Sequence, residues 1–336
     1  MKSNKVYLLL VLLCTFMQGA KAQDVVEIVD QGGLEYAIEN NSTVKIIFWQ
    51  DIELSKILSI GDGKNITIDL NGKTLSRNLV IPADDGGVIR VETGGQLTIM
   101  NSNSEQDGLI TGGKSTNGGG ITNHGELTLE SGRIMFCEAT SSGGAIWNDG
   151  TLTINGGVIT QNHSDKEGGA IWNNGTLTIN GGTIAGNQSA TVGGGIWNDG
   201  TLNMKGYFYI WENTGSTSDG NNTSNVYLNG KTLVNVTGSF QDGATIGVTI
   251  NTGGQIITNG YKAHNPNAEA ATFFHSDKTS KNLTIVDDEL ILGTFVTFDE
   301  CSWDDENKVV VAKTRTLPAN KLEGSHPNDW TELYDG

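Results

Sequence analysis

Between Gly118 and Trp211 apolar and polar residues alternate, and the alternation itself recurs with a fixed period. In the unit from Gly143 to Ile154, Ile146, Leu152 and Ile154 point one way, and Trp147, Thr151 and Thr153 the other. A side-chain period of two is that of a strand. Stacked one period at a time, Ile121, Ile146, Ile171 and Ile196 form one column, and Leu127, Leu152, Leu177 and Leu202 a second. Leu129, Ile154, Ile179 and Met204 form a third; Ile134, Ile159 and Ile184 form a fourth, continued by Tyr209. Asn123, Asn148, Asn173 and Asn198 align as well, as do Gly125, Gly150, Gly175 and Gly200. A fixed period in the twenties is the signature of a solenoid. Asn-Asp-Gly and Asn-Gly-Gly segments supply turn residues that tolerate positive φ. Each unit thus predicts three short strands and three corners, one coil of a right-handed parallel β-helix. Its coils stack at ~4.8 Å, each strand pairing in parallel with its copy. The leucine spacing of leucine-rich repeats is absent.

Outside the regular units the same reading is coarser. Asp30 to Glu39 predicts a short helix, capped by Asp30 and carrying Leu34, Ala37 and Ile38 on one face. Such a helix would close the open end of the stack. Strands are expected at Val44–Phe48, around Ile52–Ile60, through Ile66, Ile68 and Leu70, at Val88–Val91, and through Leu97 and Ile99. After Trp211 the period breaks at a Gly, Ser, Thr and Asn stretch, Asn213–Asn225, and strand-like runs resume at Val226. The organisation expected is a signal peptide over 1–22, an N-terminal cap over 23–43, a β-helix over 44–312 with irregular C-terminal coils, and a polar tail over 313–336.

Composition then narrows the setting. Forty-six glycines with only four prolines, in strict register, argue for corners. Lys2 and Lys5, the apolar run Val6–Leu13 and the small-residue site Ala20-Lys21-Ala22 read as a secretion signal cleaved after Ala22. The apolar run is too short to span a membrane. The first 22 residues hold three of the 21 basic residues and none of the 38 acidic ones, so their removal takes the formal charge from −17 to −20. Nucleic acid and anionic membranes are poor partners for such a surface. Cys137 and Cys301 remain, far apart in the chain, and Cys137 falls in the inward column of Asn162 and Asn187. The fold is expected to need no disulfide.

The repeats carry a resemblance. Gly168-Gly169-Ala170-Ile171 and Gly193-Gly194-Gly195-Ile196 each follow an Ile-x-x-Asn segment, Ile159 to Asn162 and Ile184 to Asn187, and Gly143-Gly144-Ala145-Ile146 follows the same segment with Cys137 in place of Asn. They resemble the repeats of bacterial surface β-helix proteins and are similar to those of chlamydial polymorphic outer-membrane proteins, with Ile where that family has Phe. The pectin-lyase-like superfamily is the umbrella, and the resemblance covers residues 44 to 312. It implies a fold; lyases, hydrolases, adhesins and passenger domains share that coil.

Candidate chemistry is sparse. The asparagine columns read as structural, each buried amide bonding its copies on adjacent coils. Trp147, Trp172 and Trp197 occupy the outward column beside the inward isoleucines, where Thr122 stands one coil earlier. Two readings are open: a strip whose indole faces pack against sugar rings, or rings that stack on each other or lie under the Asn213–Asn225 loop. No polygalacturonase motif is present; Asn123-His124-Gly125 and Arg133-Ile134-Met135 only echo one. The best carboxylate pair is Asp84 and Asp85, in a loop beside Arg90. The five histidines show no ligand spacing. Calcium is the one cofactor considered, at Asp149 and Asp199, which share a corner column with Asn174. The expectation is an exported or cell-surface, non-catalytic protein, an adhesin or structural element whose partner is an extracellular polysaccharide or a host-surface component. The alternative is a polysaccharide lyase or glycoside hydrolase.

Overall fold

The computed structural model describes residues 24–216, 222–251, 254–278 and 281–293 with their side chains, and the backbone of most strands onward to residue 329. The signal-peptide assignment, the side chain of Cys301 and much of the segment from residue 313 lie outside the described residues.

The chain is an all-β parallel β-helix with a helical cap at its N-terminal end. Twenty-four strands form one continuous sheet that winds around the core. In the regular coils the first face is Ile146–Asn148, the second Thr151–Ile154 and the third Val158–Thr160. Each pairs in parallel with its copy one period on, in the next coil. On the second face an unbroken ladder of ten strands runs from Asp24–Ile28 to Thr258–Asn259. The inward columns are dry: Ile146, Leu152, Ile154, Ile159 and their copies are buried.

The Gly-Gly-Ala-Ile motif has a steric origin. Gly143, Gly168 and Gly193 hold φ near +70°. Their partners Gly144 and Gly169 sit so close to the next coil that a Cβ on either would collide with the carbonyl of Gly169 or Gly194. This corner passes the chain from the third face back to the first, and it carries a feature the alternation did not reveal. Lys114–Ser115, Glu138–Ala139, His163–Ser164 and Gln188–Ser189 form a fourth, two-residue ladder.

At the N-terminal end, α1 (Gln31–Asn40) begins where expected: Asp30 Oδ1 accepts from the Gly33 N–H at 2.8 Å. Leu34, Ala37 and Ile38 are its buried face. A strand not expected from the sequence, Asp24–Ile28, precedes it and pairs with Thr43–Phe48. Two further expectations are corrected. Ile210, not Tyr209, continues the column of Ile184. One residue is inserted after Met204, and Gly206, at φ +77°, absorbs it as a bulge. Among the described residues the last parallel pairing is at Phe274–Ser276. The runs beyond it, read as irregular coils, are antiparallel: Asn282–Val286 with Glu289–Gly293, and Phe295–Asp304 with Val309–Pro318. No helix among the described residues is long and apolar enough to cross a membrane.

Candidate functional site: the outer column and its open end

Strand pairing places Ser59, Arg90, Thr122, Trp147, Trp172, Trp197 and Tyr227 in one outward column along the first face. The three indoles are half-buried and stacked like coins. Ring centroids lie 5.1 Å apart for Trp147 and Trp172 and 5.2 Å for Trp172 and Trp197, with planes within 3° and 5° of parallel. That spacing is the strand spacing itself. It decides between the two readings of the column. Indole faces that cover one another are closed to sugar rings, so the side of the ladder presents ring edges, not platforms. Only the rings that end the ladder lack a second indole, and at Trp147 that side is met by the ring of His124, 5.2 Å away and tilted by 62°.

At the N-terminal end the column steps down from Trp147 to Thr122, a side chain with no ring. A cleft of about 320 Å³ opens there, lined by Asp84, Arg90, Glu92, Ser115, Thr116, Asn117, Thr122, His124 and Trp147. Its walls are built from two sources. Arg90, Glu92, Thr122 and His124 project from, or just beyond, two successive first-face strands. The opposite wall is the loop from Asn78 to Gly87 set against Ser115–Asn117. Arg77, largely buried, ties that loop down by donating to the carbonyls of Asp85 and Gly87 at 3.1 and 3.2 Å. The Ala83 N–H donates to the Lys114 carbonyl, and Ser115 Oγ to the Asp84 carbonyl. Burial lowers the pKa of Arg77 and the charge of Asp85 acts against it.

The sequence candidates divide at this cleft. Asp84 and Arg90 line it, together with Trp147. Asp85 turns away from Asp84 and binds Arg90, Oδ1 to Nη2 at 2.6 Å. Trp172 and Trp197 lie deeper in the ladder. Glu92, Asn117 and His124 belong to the cleft and were not assigned to it from the sequence; Glu92 and Asn117 lie before Ile121, where the coils do not keep the regular period. His124 meets Trp147 at 5.2 Å with the planes 62° apart, and its Nδ1 is 3.9 Å from Asp149 Oδ2.

The proposed calcium pair does not converge. Asp149 and Asp199 are separated by the rung of Asn174. Each takes an amide hydrogen instead: Asn174 Nδ2 donates to Asp149 Oδ1 at 3.0 Å, and Asn229 Nδ2 to Asp199 Oδ1 at 2.9 Å. Among the described residues no group of three or more His, Cys, Asp or Glu side chains is arranged to hold a metal ion.

Inside, the asparagine columns are hydrogen-bonded ladders. Asn123, Asn148, Asn173 and Asn198 are fully buried, each Nδ2 donating to the next Oδ1 at 2.7 Å. A second ladder runs through Asn162, Asn187, Asn213 and Asn225 and ends on Asp277, which sequence reading did not single out. The Cys137 N–H donates to Asn162 Oδ1 at the other end; burial pushes the Cys137 thiol up to about 12. These arrays hold the corners and face no solvent.

Compared with known proteins, the chain stands apart: no family model matches it, and neither does any curated protein or any solved structure.

Proposed function

We propose that the chain is an exported or cell-surface, non-catalytic β-helix protein that binds extracellular glycan, built on the coil of the pectin-lyase-like superfamily. The observation that carries this reading is the outer column, where three aligned indoles end in a polar cleft lined in part by Trp147 and His124. Aromatic side chains in a cleft lined with carboxylates, an amide and a guanidinium suit a sugar, which has apolar ring faces and a hydroxyl rim. The formal charge of −17 makes nucleic acid an unsuitable partner. Membership of the superfamily rests on the Gly-Gly-Ala-Ile repeats and the coil they form.

A second reading, a polysaccharide lyase or glycoside hydrolase, has one observation in its favour. Arg90, Asp84 and Glu92 share the cleft, and a catalytic site needs such a gathering. Against it, Arg90 is ion-paired to Asp85, and a guanidinium does not give up its proton to serve as a base. The two readings separate in one experiment. The protein without residues 1–22 is screened on a glycan array and incubated with neutral and acidic polysaccharides, with chain length followed over time. Binding without shortening is the expected result. Depolymerisation abolished by Glu92→Gln or Asp84→Asn would replace the binding reading with the enzymatic one.

A further inference from the structure

We infer that the corner between the second and third faces, near the N-terminal end of the stack, carries a further sugar-binding cleft, built around Trp49 and suited to neutral hexopyranose residues. The inference rests on the reading that the ligand is a glycan, and it adds a site away from the outer column, which runs along the first face.

Three successive corners build the cleft. In these coils the turn from the second face to the third spans residues 49–51, 70–73 and 101–108, whereas in the regular coils it shrinks to residues 130–132 and 155–157. The long third turn folds against the second: Gly72 holds φ at +73°, and a Cβ on it would stand 2.8 Å from Gln106 Cβ. A cleft of about 480 Å³ opens beside it, lined by Trp49, Gln50, Asp51, Gly72, Lys73 and Gln106. Sites for small molecules span ~300–1,000 Å³. The long turn is tied internally. Asn101 Oδ1 accepts from the Gly72 N–H at 2.6 Å, and Asn101 Nδ2 donates to the carbonyls of Asn103 and Gln106 at 2.8 and 2.9 Å. Asn103 Oδ1 accepts from the Gln106 N–H at 3.0 Å. Asp51 Oδ1 accepts from the Thr74 N–H at 2.8 Å. These bonds fix the backbone and lower the ordering cost of binding. They leave the side-chain ends of Gln50, Lys73 and Gln106 without a hydrogen bond or ion pair among the described residues.

Trp49 differs from the indoles of the outer column. It is 53% exposed, and among the described residues no other ring meets it, whereas Trp147, Trp172 and Trp197 all meet at least one. A lone exposed apolar side chain is ordinary on a protein surface. One set in a polar cleft whose walls are already fixed offers apolar contact to a sugar ring, with hydrogen-bonding groups around it. Charge selects the ligand class. The cleft holds one ammonium, Lys73, and one carboxylate, Asp51, so its own charge is balanced. A uronate or sulfated chain would find one cation there and the negative field of a protein with a formal charge of −17 around it. Sugar hydroxyls suit all four polar side chains: the carboxylate and the two amide oxygens accept from them, and the ammonium and the two amide nitrogens donate to them. They also tolerate the water that an open cleft admits.

The test is titration calorimetry of the protein without residues 1–22 against cello-, manno- and galacto-oligosaccharides and an oligogalacturonate. Trp49→Ala should weaken binding of a neutral oligosaccharide at one site by about tenfold or more, with an unchanged melting temperature because the ring is exposed. Gln106→Ala should weaken the same site by about threefold to tenfold. Tyr36→Ala removes a comparably exposed ring from α1, outside the cleft, and should leave affinity within about twofold. Trp147→Ala reports on the outer-column cleft. Binding lost in Trp49→Ala and kept in Trp147→Ala would support the corner site and remove the outer-column one. Binding lost in Trp147→Ala and untouched by Trp49→Ala and Gln106→Ala would leave the glycan reading standing and overturn the corner site. So would a Tyr36→Ala effect as large as that of Trp49→Ala. If oligogalacturonate binds at Trp49 and the neutral sugars do not, the ligand class is wrong. If none of the four probes binds the unaltered protein, the site and the glycan reading fall together.

Discussion

Two asparagine ladders run through the same coils, and they end differently. The ladder of Asn123, Asn148, Asn173 and Asn198 is bounded by apolar residues: Val91 precedes Asn123 in the column and Leu228 follows Asn198. Asn123 Oδ1 is consequently buried with no hydrogen-bond partner. The ladder of Asn162, Asn187, Asn213 and Asn225 instead closes on a carboxylate. Asn225 donates its N–H to Asp277 Oδ2 at 2.8 Å and its Nδ2 to Oδ1 at 2.6 Å, and Thr249 Oγ1 adds a third donor at 3.0 Å. In both ladders the amide-to-amide donors point toward the C-terminal end; the last rung of the first, Asn198, donates to the Gly200 carbonyl at 3.0 Å, and the last rung of the second donates both its N–H and its Nδ2 to a carboxylate. With three donors converging on it, aspartate suits that second end, because an ionised carboxylate only accepts. A stacked array satisfies its own interior and concentrates its unmet chemistry at the ends. The tryptophan ladder shows the same contrast with π-faces in place of hydrogen bonds: its interior rings cover one another, and its end at Trp147 is met edge-to-face by His124.

The sharpest way to break the comparison is to remove the terminator. Asp277→Leu leaves three buried donors without their acceptor. It should destabilise the fold by about 3 kcal/mol or more, measured by chemical denaturation. An interior rung should cost less. In Asn173→Ala, Asn148 Nδ2 retains the Thr176 carbonyl at 3.2 Å, while Asn198 Oδ1 loses its ladder donor. About 2 kcal/mol is expected from one orphaned buried acceptor and a small cavity. The open end should cost least. Asn123→Leu removes an oxygen that is already orphaned and passes the orphan to Asn148 Oδ1, so the number of unmet acceptors in the ladder is unchanged. A loss within about 1 kcal/mol is expected. Equal losses for Asn123→Leu and Asn173→Ala would contradict the view that ends and interior differ.

The regular coils were legible because their columns repeat in sequence as they do in space. Ile146 lies over Ile171 and Asn148 over Asn173, one period apart along the chain and one coil apart along the axis. Legibility failed wherever coil length changed. Arg90 stands over Thr122 across an interval longer than the regular period, so the cleft could not be assembled by counting, although Asp84, Arg90 and Trp147 were each picked out separately. One inserted residue after Met204 was enough to exchange Ile210 for Tyr209 in the core column. Asp277 was invisible for a stronger reason: it meets Asn225 across 52 residues, beyond a stretch with no period. The tryptophan column was placed correctly, but its alternation could not say whether the indole faces point at solvent or at one another. That depends on ring rotation about χ angles, which a period-two pattern leaves undetermined.

The subtlest effect is a pH dependence, and two buried aspartates make it separable. Burial raises the pKa of Asp277 above its ordinary 3.8, with the Asn225 and Thr249 hydrogen bonds opposing it only in part. Burial pushes Asp69 upward too, but the Ser102 N–H and the Lys45 ammonium, 3.0 Å from Oδ2, outweigh it, and that pKa is lowered. The signs are therefore opposite. Between 3.8 and its folded-state pKa, Asp277 keeps a proton that the unfolded chain has released, so stability falls as pH rises through that window. Asp69 holds its charge below 3.8, where the unfolded chain has gained a proton, so its contribution is lost as pH falls through its folded-state pKa. The windows lie on either side of 3.8 and do not mask each other. Asp277→Asn removes the first and leaves the second. Unfolding free energies measured for both proteins from acid to neutral pH should show the variant losing the downward slope above 3.8 while retaining the acid-side loss. Parallel curves above 3.8 would mean that Asp277 is ionised in the folded state as readily as in the unfolded chain, with its three donors fully offsetting its burial.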